Sequence, residues 1–412
     1  MDTGLRFDII VVGASGAGLY AAELLARAGK RVGVFERRPT LNHSRRTLIV
    51  TEELERVSGP IPGGIELAHT STMQLCCGGN TVEVRLGRPD PVVERTAFVR
   101  WMYDRAATAG AEVFFGCEFR DLREARAGAT AVFERGTLNR SCLAREAVIG
   151  ADGVASDVGR KAGIAPPKTV PIVQAEIRLP SGWDPSLTRV WFEPHHTRFF
   201  YWLIPELDGR AVVGLIGDQE EAISLLLRDF LARNGWKADA YQAARVSMHR
   251  PGLRPWGSIG RLPVYLVGDA AGQVKVTTVG GTVTGLLGAE AASRALLTGT
   301  RYAQELRLLK RELNVHWAVR WMLDRLDFEG YQNLLSVTRS SLSRFLSRNN
   351  RDRMAPVLWR MPFLEPRLAL LAFQALRGKP RNENTAPVRS ASRGVKKSTS
   401  TLDWDNDVYR TP

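Results

Sequence analysis

Cysteine is scarce in this 412-residue chain, which holds four: Cys76, Cys77, Cys117 and Cys142. None forms a CxxC pair, and no His/Cys group has the spacing of zinc ligands, which excludes a zinc site and a disulfide framework as organising devices. Reduced thiols in a cytoplasmic protein are the simplest reading. Long apolar runs are also lacking. No stretch reaches the roughly 18–20 uninterrupted apolar residues that span a bilayer. The first 30 residues do not read as a signal peptide, because their run IIVVGASGAG follows Asp8, is glycine-rich and leads into an amphipathic segment. No internal repeat is found. Lysine is missing between Lys30 and Lys161, an absence used below.

What is present is ordinary for globular protein, with 44% hydrophobic and 24% charged residues. At about 150 residues per domain, the length predicts two or three domains with a buried core. The net charge of +14 is uneven: residues 301–412 hold 21 Lys/Arg against 11 Asp/Glu, and the first 300 hold 36 against 32. A basic segment of this kind can meet anionic lipid, nucleic acid or only solvent. A solvated face and membrane contact stand level here, and nucleic acid is not expected.

Residues 7–12 (FDIIVV) predict a buried strand, 16–29 a helix ending at Gly29, and 31–36 (RVGVFE) a second strand. Residues 98–109 predict a helix, and 111–116 and 146–153 predict strands. Residues 170–217 alternate apolar and polar positions between breaks, predicting an antiparallel sheet. Residues 264–272 return as a strand and 280–297 as a glycine-opened helix. From 301 to about 377 the pattern is helical and basic, with an apolar face in 356–377 broken by Pro362 and Pro366. Residues 378–412 predict disorder.

The chemistry starts at Gly13-Ala14-Ser15-Gly16-Ala17-Gly18, directly after a strand and opening a helix. Gly13 permits the tight bend, small residues at 15–17 admit a pyrophosphate, the helix N-terminus attracts that anion, and Gly18 allows close helix–strand packing. Glu36 ends the second strand, followed by Arg37, and its carboxylate can accept both ribose hydroxyls of an adenosine. This unit alone leaves FAD and NAD(P) open. Two later motifs, IGADGVASDVGR at 149–160 with Asp152 and LVGDAAGQVKVTTVGGTVTG at 266–285, decide for FAD. Gly268-Asp269 ends a strand, where Asp269 can bond a ribitol chain. Gly280, Gly281 and Thr282 open a helix whose N-terminus favours the anionic N1–C2=O edge of reduced flavin. A nicotinamide enzyme needs no second site of this kind.

Together these motifs resemble the flavoprotein family of aromatic hydroxylases over residues 5–300, and within it the geranylgeranyl reductase branch most. VGDAAGQVKVTTVGGTVTG is similar to the reductase pattern GDAAGxVKPTTGGGI, with Val276 for Pro and Val279 for Gly. Phe200-Tyr201-Trp202-Leu203-Ile204-Pro205 is similar to the substrate-pocket motif YxWxFP, marking Phe200, Trp202 and Pro205 as substrate contacts. The resemblance implies flavin contacts at Ala17, Glu36, Arg95, Asp269, Gly281 and Thr282. Arg45-Arg46-Thr47 stands where archaeal lipid reductases carry a cysteine. Flavin-dependent halogenases share a WxWxIP segment but need a lysine near the flavin, and none lies between Lys30 and Lys161.

The implied fold class is α/β: a Rossmann-like FAD-binding domain (1–50, 90–165, 255–300) interleaved with an antiparallel β-sheet substrate domain (51–89, 166–254), plus a helical basic region (301–377) and a tail (378–412). The implied activity is reduction of carbon–carbon double bonds in an isoprenoid lipid by hydride from reduced FAD, with NAD(P)H or ferredoxin as external donor. A class A flavin monooxygenase acting on an aromatic or polyketide is the second reading. A flavin-binding, membrane-associated module without turnover is the third. The catalytic acid is not identified: His195 and His196 read as turn residues, and Lys275 as a residue beside the flavin. The expected location is the cytoplasm, with the basic region able to bring the chain to the inner face of the membrane.

Overall fold

The computed structural model describes residues 5–41, 46–337, 352, 354 and 409–410. In chain order the first elements are β1 (Leu5–Val12), α1 (Gly16–Arg27), β2 (Val32–Glu36), β3 (Thr47–Ile49), α2 (Glu53–Ser58), β4 (Glu66–Cys77), β5 (Asn80–Glu94) and α3 (Arg95–Thr108). Then come β6 (Glu112–Phe115), β7 (Glu118–Ala125), β8 (Gly128–Arg135), β9 (Leu138–Gly150), α4 (Asp157–Lys161), β10 (Lys168–Arg178), β11 (Leu187–Trp191), β12 (Tyr201–Pro205), β13 (Arg210–Ile216) and α5 (Glu220–Arg233). The series closes with β14 (Ala238–Met248), β15 (Trp256–Ile259), β16 (Leu262–Leu266), α6 (Thr282–Thr298), α7 (Tyr302–Glu305), α8 (Arg307–Leu323) and β17 (Tyr409–Arg410). A 3-10 turn, Gly268–Ala271, lies between β16 and α6. The expected apolar stretch 356–377 lies outside the described residues, as does the expected tail apart from Tyr409–Arg410.

The chain divides into two compact units. Unit 1 comprises Met1–Ile65, Val93–Thr169 and Ser247–Trp317. Its sheet runs β15-β16-β9-β1-β2-β6, with β8 pairing the start of β9 and β7 pairing β8. The pairs β16·β9, β9·β1, β1·β2 and β2·β6 are all parallel. Strands in such a sheet are covered on both faces and read as continuous apolar runs, which is the character of FDIIVV and VGVFE. Alternate residues feed two cores. Ile9, Val11 and Val34 pack with α1, α3 and α6. Ile10, Val12 and Phe35 pack with β7 and β8, where Phe35 stacks on Phe133 at 4.0 Å between ring centroids. Each fully buried Leu or Ile in these cores contributes roughly 1.5–3 kcal/mol.

Unit 1 takes in more chain than the pattern implied: residues 51–65, 247–254 and 301–317 belong to it. Leu54 is fully buried in the helix-side core. Tyr20 donates to the Val57 carbonyl at 2.8 Å, and Arg105 bonds both the Ser58 carbonyl and Glu23. These contacts tie α2 to α1 and α3.

Unit 2 comprises Glu66–Val92, Val170–Val246 and Ala318–Pro412. Its sheet runs β17-β14-β10-β13-β12-β11-β4-β5. The pairs β10·β13, β13·β12 and β12·β11 are antiparallel, but β11 pairs β4 in parallel. Alternation of apolar residues shows a strand's two faces, not its partner's direction, so that parallel pair was invisible in the pattern. Helix α5 covers one face with Ile223, Leu227 and Phe230, and Tyr201 stacks on Phe230 at 4.3 Å.

Candidate active site

The parallel strands of unit 1 carry all their carboxyl ends to one edge, the edge at which open α/β sheets bind ligands. Gly13 follows β1, Glu36 ends β2, Ala151 follows β9, and Gly268 lies just past β16. The glycines there are forced by backbone contacts. Gly13 has φ +99°, and a Cβ on it would lie 2.5 Å from the Ala151 carbonyl oxygen. A Cβ on Gly18 would lie 2.4 Å from the Gly13 carbonyl oxygen, and one on Gly16 would lie 2.7 Å from the Phe98 ring. Ser15 caps α1 by accepting from the Gly18 N–H at 3.2 Å. The first-turn N–H groups of any helix lack partners within it and point outward to an anion.

Glu36 is buried, and its two oxygens accept from the N–H groups of Ala14 (2.8 Å) and Arg38 (3.0 Å). Each carboxylate oxygen keeps a further lone pair. Arg37 is exposed beside it. Asp152 is tied to its own segment. Its oxygens accept from the Ser156 hydroxyl (2.6 Å) and the Val158 N–H (3.0 Å), and so fold the start of α4. Burial raises its carboxyl pKa despite those bonds.

At the third turn, Gly268 has φ +65°, and a Cβ on Gly285 of α6 would lie 3.3 Å from the Gly268 Cα, so α6 meets the turn closely there. Gln273 accepts from the Gly268 N–H (2.7 Å) and donates to Tyr302 (3.0 Å), whose hydroxyl donates to the Leu266 carbonyl (2.8 Å). That buried chain fixes the turn from below. Asp269 is open to solvent along one side but crowded by protein on the others. Burial raises its carboxyl, opposed by a hydrogen bond from Ser247 (3.1 Å) and by the charges of Arg95 and Arg46. A Cβ on Gly281 would lie 3.6 Å from Asp269 Oδ1, so the start of α6 adjoins that carboxylate. Arg95 opens α3, behind a Glu94 carboxylate that accepts from Thr96 and Ala97 N–H groups, and its own N–H donates to the Arg46 carbonyl at 2.8 Å. The structure thus brings Gly13, Ala17, Asp269, Gly281, Arg95 and Arg46 into one neighbourhood.

Between Lys275 and Gly280 the chain forms a tight loop. The Lys275 N–H donates to the Gly280 carbonyl (3.0 Å), and the Val279 N–H donates to the Lys275 carbonyl (2.7 Å). Val279 has φ +53°, a left-handed conformation that costs a β-branched residue about 1–3 kcal/mol. A Cβ on Gly280 would lie 3.7 Å from Lys275 Nζ, so the buried lysine lies beneath the loop.

In unit 2, Trp202 is 7% exposed and lies across Gly214 of β13, where a Cβ would fall 2.0 Å from the indole. Phe200 is half-buried at 6.2 Å from Trp202, and Pro205 ends β12 in the core. His196 bonds Glu193 at 2.7 Å and His195 is exposed. All four cysteines are buried, and burial pushes the thiols of Cys76, Cys77 and Cys117 up, away from thiolate chemistry. Sequence reasoning missed His316 of α8, which is fully buried against the 275–280 loop. Its one signal was a Glu at i−4, Glu312.

The profile of FAD-dependent oxidoreductases matches residues 84–294, and that of NAD(P)-binding Rossmann-like domains matches 11–48. A digeranylgeranylglycerophospholipid reductase of Methanopyrus kandleri is 30% identical over 297 residues, covering 69% of this chain and 78% of the relative. Another from Methanothermobacter thermautotrophicus is 28% identical, covering 83% and 96%. A geranylgeranyl bacteriochlorophyll reductase-like protein of Thermoplasma acidophilum shares the fold, with TM-score 0.74 at 19% identity over 90% of this chain and 99% of that one. This chain belongs to the geranylgeranyl reductase family of FAD-dependent oxidoreductases, and is an enzyme of that type.

Proposed function

We propose that the enzyme reduces carbon–carbon double bonds of a geranylgeranyl-type isoprenoid. The observation that carries this reading is the 30% identity to a digeranylgeranylglycerophospholipid reductase across most of both chains. The residues of unit 1 fit FAD. Small residues at the α1 N-terminus leave room for a pyrophosphate, and Glu36 retains acceptors for the adenosine ribose. We assign Asp269 to the ribitol chain, with the charge of Arg95 acting on it. Gly281 and Thr282 open α6, whose N-terminus would favour a flavin edge that becomes negative on reduction. Bound and reduced, FAD supplies the hydride that adds to one carbon of the double bond.

The protein's share of the reaction is to hold that edge, exclude water and admit a proton to the second carbon. Lys275, buried beneath the loop that leads into α6, would add positive charge for a flavin held at that helix N-terminus. For unit 2 we assign Phe200, Trp202 and Pro205 to substrate contact, on the likeness of FYWLIP to the reductase pocket motif YxWxFP. The sequence has no second dinucleotide turn, so the donor, NAD(P)H or ferredoxin, docks transiently. The basic C-terminal quarter draws the enzyme to anionic lipid, where an isoprenoid substrate resides.

The test is anaerobic. The holoenzyme is reduced, mixed with a geranylgeranyl lipid or geranylgeranyl diphosphate, and the product weighed by mass spectrometry. Hydrogen gained in pairs is expected. An unchanged substrate overturns the reading, and one oxygen added to an aromatic compound under air and NADPH would replace it with hydroxylation.

A further inference from the structure

Helix α8 holds the 268–281 turn and loop at two places. Asn314 Oδ1 lies 2.9 Å from His249 Nε2, and His249 in turn bonds backbone at Gly272. His316 exposes none of its surface, and its Nδ1 lies 2.5 Å from Thr277 Oγ1, inside the strained Lys275–Gly280 loop. Glu312, one turn earlier, has a carboxylate oxygen 3.8 Å from His316 Nε2. Lys310 anchors the same helix by donating to the Leu253 carbonyl at 3.0 Å. A loop that carries a left-handed valine persists only when its surroundings over-determine it. Thr277 is its half-buried side-chain handle, and His316 grips that handle from outside.

We infer that His316 is a positioning residue for the flavin-facing loop: through Thr277 it fixes the Lys275–Gly281 turn, and thereby where the α6 N-terminus meets the flavin. This rests on the assignment of the loop to the flavin site. His316 does not touch the cofactor. It acts on the reduction potential and the chemical step rather than on substrate affinity.

Three variants test this. Thr277→Val keeps shape and removes the hydroxyl. His316→Leu removes the ring nitrogen. His316→Asn keeps an acceptor near the Nδ1 position. In the flavin-free protein, amide exchange at Thr278 and Val279 reads the loop directly. About tenfold faster exchange is expected for Thr277→Val and His316→Leu, with near wild-type protection for His316→Asn. In the holoenzyme the first two should shift the flavin potential in the same direction and lower the single-turnover rate about tenfold with KM unchanged, and the double variant should be no worse than either single. Wild-type exchange and potential in Thr277→Val, or in a folded His316→Leu, overturn the inference. Failure of the wild type to reduce any isoprenoid overturns the substrate reading instead and leaves the exchange result standing.

Discussion

Asp269 and Val279 both hold states that a free chain would avoid. For Asp269 the cause is burial first, opposed by Ser247 and by the charges of Arg95 and Arg46, and the net effect is a raised carboxyl pKa. A raised folded value means that the protonated form is favoured in the native state. The associated stability is complete below the unfolded carboxyl's pKa of about 4 and is lost as pH rises through the folded value. Asp269→Asn is therefore expected to raise the melting temperature of the flavin-free protein only slightly at pH 7, solvent on its exposed side screening most of the effect, with the gain closing near pH 4, while weakening FAD about tenfold or more. Scanning fluorimetry at both pH values checks it, and a difference independent of pH would show that desolvation is not the cause. Val279→Gly relieves the left-handed valine. Net of the entropy a glycine adds to the unfolded chain, it should stabilise by about 1 kcal/mol, or about 2 °C, with FAD retained. A lower melting temperature would mean that the valine's packing outweighs its strain.

At the scale of elements, β12 and β13 give the clearest expectation. The Trp202 indole occupies the space a side chain at Gly214 would need. Gly214→Ala should cost unit 2 about 1–3 kcal/mol through overpacking, and adding Trp202→Leu should recover part of it. Chemical denaturation of the single and double variants decides, and simple additivity would argue against the contact. The same strands show what a sequence can reveal. FDIIVV, VGVFE and the run before Gly268 were legible because buried parallel strands are largely apolar, the first and third ending at glycine turns and the second at the carboxylate of Glu36. The helix at 280–297 emerged as α6 within two residues. The hairpin of β7 and β8 was not read, because β7 is highly charged and the burial of both strands lies on one face only. The Gln273–Tyr302–Leu266 chain was equally hidden, since its members are apart in sequence and individually ordinary. Asp152 was legible as part of a motif, but its tie to α4 depends on the path of the chain after Gly153. His316 carried almost no local signal, because its meaning comes from the loop it meets.

For the whole molecule, the net charge of +14 with its excess beyond residue 300 leads to an expectation about lipid surfaces. The full chain should sediment with vesicles containing phosphatidylglycerol at low ionic strength and release by about 0.5 M salt, where the Debye length falls below roughly 5 Å. It should ignore neutral phosphatidylcholine vesicles. Binding insensitive to salt would point to apolar insertion in place of charge. Among the described residues no helix is long and apolar enough to cross a membrane. The catalytic unit itself is assembled from segments drawn from far along the chain: the bend at Gly13 is shaped by Ala151, and Ala17 is shaped by Gly268 and Gly285. Each turn is the mould for another: Gly13 meets the Ala151 backbone, Gly18 meets the Gly13 carbonyl, and Gly268 and Gly285 meet the short side chain of Ala17. Such a site is inherited as a block. Shuffled with a distant relative, chimeras should keep their flavin only where all three turns descend from one parent, however freely the rest of the sequence is exchanged.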